Sequence, residues 1–107
     1  MFFCPTCGEP SLIIETSVDL GPDDRSDEVA VQAVHCDACD CHGAALYEES
    51  RRGDGEHVHH VMCVLPTDEV HALHLALTDV DVPTLSGWAG KIRRHSTHPI
   101  IYRPECV

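Results

Sequence analysis

The sequence predicts a small α+β fold: an antiparallel sheet of three to four strands, followed by one or two short helices. Three observations predict it. Two Cys-x-x-Cys steps, Cys4-Pro5-Thr6-Cys7 and Cys36-Asp37-Ala38-Cys39, bracket two extended runs rich in β-branched residues. Two further extended runs follow, joined by Gly53-Asp54-Gly55. Beyond Pro66 the apolar spacing changes to one that suits a helix.

Each element has a local reason. Pro5 pre-sets the turn after Cys4, and Gly8 supplies the left-handed backbone that often follows such a step. Residues 11 to 18 are rich in Ile, Thr and Val and read as a strand. Residues 19 to 27 hold Gly-Pro and four acids with little to bury, so they form a solvated loop. Residues 28 to 35 carry Val29, Val31 and Val34 and deliver the chain to Cys36. Residues 43 to 52 form the third strand, with Ala45 and Tyr47 on one face, and residues 57 to 65 the fourth. Thr67, a candidate N-cap, opens a helix to Thr78 whose Val70, Leu73 and Leu77 share a face. Pro83-Thr84 can start a second, shorter helix around Ser86 to Arg94, weakened by Gly87 and Gly90, and Ile100 to Tyr102 can add an edge strand in the tail. The domain reading is one compact unit: a sheet over 1–66 and a helical and extended segment over 67–107 packed on it.

Composition sets limits. At 107 residues the chain buries only a modest core, and Phe2, Phe3, Tyr47, Trp88 and Tyr102 are its whole aromatic set. A weak aliphatic core makes a structural metal more useful, because binding free energy becomes folding free energy. Net charge is −11, which disfavours a nucleic-acid partner, since such affinity rests on Lys and Arg neutralising phosphates. The short basic run from Lys91 to His95 reads as a solvated helix end. The chain opens without a basic, apolar leader, and no apolar run approaches a membrane span. With an odd seven cysteines, this predicts a cytoplasmic protein with metal-binding or redox thiols rather than a disulfide framework.

The two steps can place four thiolates, Cys4, Cys7, Cys36 and Cys39, round one metal ion. With the strand, loop and strand between them and another strand after them, residues 1 to about 52 resemble a zinc ribbon. That resemblance implies two knuckles at one end of a small antiparallel sheet, a structural Zn²⁺ and no reaction. The second knuckle departs from the family pattern, because Asp40 stands where glycine usually follows. It is also crowded. Cys41 is read as a spare thiol beside the site, with replacement of Cys39 as its alternative; His42 is read as an imidazole beside the ion rather than on it. Rubredoxin-like knuckles suggest iron as the alternative metal and electron transfer as the alternative role. The scarcity of aromatics and the missing second glycine count against it.

The second half is rich in histidine. His71 and His74 are helical neighbours and with Cys63 could form a second metal site, although no His-Glu-x-x-His motif is present. Scattered surface histidines are the simpler reading. Cys63 reads as a small buried apolar residue and Cys106 as an inert or oxidisable terminal thiol. No nucleophile–base pair and no phosphate loop stands in a recognisable context, so no enzyme is predicted. The expected function is a structural zinc protein acting as an interaction or adaptor module for another protein. The alternatives are an iron electron carrier, a metal-handling or thiol redox-sensing protein, and a nucleic-acid-binding ribbon.

Overall fold

Four long strands form, three of them where the β-branched runs lie, and they pair in chain order as antiparallel neighbours. The computed structural model describes residues 1–24, 26–51, 55, 57–95 and 98–103. It contains β1 (Phe2–Phe3), β2 (Leu12–Asp19), β3 (Glu28–Cys36), β4 (His42–Ser50), β5 (His57–Val64), α1 (Thr67–Thr78), α2 (Val82–Arg94), β6 (His98–Pro99) and β7 (Ile101–Tyr102). The Gly53-Asp54 part of the expected turn, Arg52 and Cys106 lie outside the described residues.

The sheet has seven strands in the order β6-β5-β4-β3-β2-β1-β7, not three or four. The extra strands are two residues long, too short to carry a period in the sequence. They change the architecture. β6 pairs with β5 through Val61↔Pro99 and Met62↔His98, while β7 pairs with β1 through Phe2↔Tyr102 and Phe3↔Ile101. One segment, 98–102, therefore hydrogen-bonds both edges of the sheet. The Ile100 amide donates to the His60 carbonyl at 2.8 Å, and the Arg103 amide donates to the Met1 carbonyl at 3.0 Å. The sheet nearly closes into a barrel, and the short pairings cover part of each edge that an open sheet would leave exposed.

Side chains alternate across the sheet and divide the core in two. On one face Val29, Val31, Ala33, Ala44 and Leu46 pack against Leu73, Ala76 and Leu77 of α1 and Leu85, Ala89 and Ile92 of α2. On the inner face Cys4, Leu12, Val34, Cys36, Ala45, Met62 and Ile100 form a second cluster. Both faces of β3 and β4 are thus covered, so most of their residues are buried, the polar Gln32, Glu48 and Glu49 among them. Gly43 is required where β4 meets β5: a Cβ there would stand 2.6 Å from both the Cys63 carbonyl oxygen and Met62 Cε.

α1 occupies the expected residues, but Thr67 is not its N-cap; Pro66 holds that position with no side-chain cap. The first-turn acids Asp68 and Glu69 complement the helix dipole instead. α2 begins earlier than expected, because Asp81 caps it by accepting from the Thr84 amide and Pro83 suits the first turn. The basic run at its end is not free. Lys91 Nζ donates to Glu69 Oε1 at 2.8 Å. Arg93 donates from Nε to Glu48 Oε1 at 2.8 Å and from Nη2 to Asp23 Oδ2 at 2.8 Å.

Candidate metal centre

The two Cys-x-x-Cys steps form the same turn. In each, the amide of the first cysteine donates to the carbonyl five residues on: Cys4 to Glu9 and Cys36 to Cys41, both at 2.9 Å. In each, the residue after the second cysteine has positive φ, Gly8 at 79° and Asp40 at 54°. Asp40 therefore takes the glycine's conformation, which aspartate tolerates better than most side chains. The apparent departure from the ribbon pattern is a departure in side chain and not in backbone.

This equivalence also ranks the thiols. Cys39 corresponds to Cys7, whereas Cys41 corresponds to Glu9. Cys4, Cys7, Cys36 and Cys39 place their sulfurs within 4.8 Å of one another. Cys7 and Cys36 stand 3.6 Å apart and Cys4 and Cys39 3.8 Å apart. A tetrahedron with Zn–S bonds of about 2.3 Å has edges of about 3.8 Å. The four sulfurs thus fit a tetrahedral ion, and a tetrahedral sulfur set suits zinc or iron. Cys41 lies 3.8 Å from Cys4 Sγ but outside the four-sulfur group, beside the site.

Each knuckle contributes one buried thiol, Cys4 or Cys36, and one exposed thiol, Cys7 or Cys39. The buried pair belongs to the inner core, so the site is continuous with the packing of the sheet. Their acidities differ in the same way. Burial opposes the Cys36 thiolate, but Ser11 Oγ at 3.1 Å and the amides of Cys39 and Ala38 outweigh it and bring the thiol down to about 6. Burial likewise opposes the Cys4 thiolate, and the Cys7 and Thr6 amides overcome it, lowering that thiol too. The Glu9 amide favours a Cys7 thiolate, but desolvation and hydrogen bonds to Cys36, Cys39 and Cys4 carry Cys7 up to about 12. Desolvation and hydrogen bonds to Cys41 and Cys36 carry Cys39 up to about 11. Two thiols ionise readily and then oppose ionisation of the other two. A bound cation supplies the charge that lets all four become thiolates.

The speculative grouping of Cys63, His71 and His74 is not assembled. Among the described residues two groups could hold a metal ion, and these three are in neither. Cys63 faces the helices in the core, where burial raises its pKa, and His71 is exposed. The second group is His35, Asp40 and His42, which the sequence did not single out as a set. Its signal was present, since the two histidines flank the second knuckle at equal distance from its turn. Only the strand register, His35↔His42, makes them neighbours.

A cavity of about 430 Å³ opens where the sheet closes, lined by Phe2, Tyr47, Val58, His60, Ile100 and Tyr102. His60 is held there by Gln32, with Nε2 2.7 Å from Gln32 Oε1, and meets the rings of Phe2 and Tyr47 edge-on. No described helix is long and apolar enough to cross a membrane.

Compared with known proteins, the chain matches no family model, no curated protein and no solved structure. Fold and site together define a small α+β protein with a cysteine cluster able to hold a metal ion.

Proposed function

We propose that the chain is a zinc-ribbon-like protein in which Cys4, Cys7, Cys36 and Cys39 hold a structural Zn²⁺, and that it serves as a binding module for another protein. The observation that carries this reading is the closed four-sulfur set at the end of the sheet. Four thiolates leave the ion no open position, so it staples the fold and performs no reaction. Function then belongs to the surface the staple holds in shape.

Two features of that surface favour a protein partner. The aromatic cavity is flanked by Val58 and Tyr102, which are 51% and 58% exposed. A partly exposed pocket of aromatic and aliphatic side chains suits an apolar anchor residue from a partner. The net charge of −11 favours a partner with a basic surface. Lys91 and Arg93 are already paired within the molecule, which weakens a nucleic-acid reading.

Metal analysis of purified protein tests the first half. The expected result is one tightly held zinc per chain, no visible absorption, and loss of both the ion and the cooperative thermal transition in Cys36→Ser. A red protein with reversible one-electron chemistry would establish the iron carrier instead. The second half predicts that Val58→Asp keeps the zinc and the fold but abolishes co-purification of a defined partner from the native host. An unchanged set of co-purifying proteins would remove the cavity from the binding surface.

A further inference from the structure

We propose that His35, Asp40 and His42 form a second metal site, open to solvent, for a divalent first-row transition ion. It is separate from the cysteine cluster and does not depend on that cluster's metal being zinc.

The placement follows from the β3–β4 hairpin. His35 and His42 are directly paired across the two strands. Successive side chains on a strand point to opposite faces. Cys36 points into the inner core, so His35 points to the other side of the sheet. Asp40 lies in the turn between them. Its left-handed backbone, φ 54°, is one that glycine would adopt without strain. At the equivalent place in the first knuckle the chain does use glycine, Gly8. The aspartate is therefore not what the turn needs, and its carboxylate is directed at the two imidazoles.

The donor geometry is that of a three-ligand site. His35 Nε2 lies 3.1 Å from Asp40 Oδ1 and His42 Nε2 lies 3.9 Å from the same oxygen. All three donor atoms fall within 4.8 Å of one another. Donors bound to one such ion at about 2.1 Å stand roughly 3.0–3.5 Å apart, so closure needs only a modest approach of the two rings. The rings stack with centroids 4.4 Å apart and planes 17° from parallel. They must tilt toward each other to aim both lone pairs at one ion, and His42, 41% exposed, has room to do so.

Each imidazole presents Nε2 to the Asp40 carboxylate. His35 Nδ1 faces Asp37 Oδ1 at 3.4 Å, the carboxylate–histidine arrangement that orients metal-binding rings. Among the described residues His42 Nδ1 is buried with no hydrogen-bond partner, while Nε2 is the nitrogen that faces Asp40 Oδ1. Asp40 is 88% exposed, so water can complete the coordination. Two imidazoles and one carboxylate with open positions suit zinc, nickel, cobalt or iron(II), and this ion, unlike one held by four thiolates, can exchange and take an additional ligand.

Nickel titration of the full chain tests the site. The zinc content is measured first, so failure of the structural-zinc reading shows before nickel is added. The one-zinc protein is then titrated with Ni²⁺. The expected result is one further ion per chain, with paramagnetic broadening of the His35 and His42 ring protons and no thiolate-to-nickel absorption. Asp40→Gly and His42→Gln should each weaken Ni²⁺ binding at least about tenfold. Asp40→Gly should also keep or raise the thermal midpoint, because glycine relieves the backbone. Undiminished Ni²⁺ binding by Asp40→Gly would overturn the proposal. So would broadening centred on the exposed His57 and His59 rings, or thiolate-to-nickel absorption showing that nickel enters the cysteine cluster.

Discussion

His60 shows how one residue joins the core to a pH dependence. Its ring sits at the base of the aromatic cavity between Phe2 and Tyr47, with Gln32 as its hydrogen-bond partner. Burial lowers its pKa from the ordinary 6.5, because the charged form would lose water without gaining a counter-ion. The folded protein therefore holds His60 neutral while the unfolded chain takes up a proton near pH 6.5. Stability contributed by this residue is intact above that pH and declines as pH falls below it. The decline ends at the lower, folded pKa, where both states are protonated. Thermal melts from pH 7.5 to 5.5 should show a smaller loss in His60→Gln than in the parent. Both proteins retain the cysteine cluster, so acid loss of a metal there is common to both. Equal slopes would place the neutral histidine's cost elsewhere.

Elements are held to one another by a few specific contacts. The firmest link between α2 and the sheet outside the apolar core is Arg93, which reaches Glu48 on β4 and Asp23 in the loop before β3. Glu48 is only 5% exposed. Removing the guanidinium leaves a buried carboxylate without it, a change that costs about 3 kcal/mol. Arg93→Met should therefore lower the unfolding free energy read from urea denaturation by that amount, and adding Glu48→Gln should restore part of it. The half-exposed Lys91–Glu69 pair should contribute no more than about 1 kcal/mol. Elements were legible in the sequence where a long pattern existed. β2, β3 and β5 announced themselves through β-branched runs, β4 through Ala45 and Tyr47 on one face, and α1 through Val70, Leu73 and Leu77. The start of α2 was signalled by Pro83, one residue inside the observed start, while its cap, Asp81, was not read because a cap is a single residue and not a period. At the site the same contrast holds. The four cysteines are local steps whose spacing is visible, whereas His35 and His42 meet only through cross-strand register. Of the two-residue strands only β7 was legible, through Ile101 and Tyr102 in the tail; β1 and β6 carry no pattern, and together these short strands turn an open sheet into a nearly closed one.

At the scale of the whole molecule, two devices hold a small aliphatic core together, and they act at different places. The cysteine cluster ties Cys4 to Cys36 across the β2–β3 end of the sheet. The segment around Ile100 ties β5 to β1 at the two edges. Ile100 is the joint of that closure. Its side chain is 7% exposed among the inner-core residues, and its amide bonds to His60. Ile100→Ala removes buried apolar atoms and should cost about 2–4 kcal/mol. The effect should be localised as well as global. Hydrogen exchange should accelerate at the Ile100 amide and on β1, whose partners are β2 and this segment, while amides in the β3–β4 pairing stay protected relative to them. The metal device predicts the complementary pattern. Stripping the ion with a chelator should speed exchange first in the two knuckles and leave the Ile100 amide bonded to β5. If Ile100→Ala and chelation instead unfold the chain with one common exchange profile, closure and staple form a single cooperative unit rather than two.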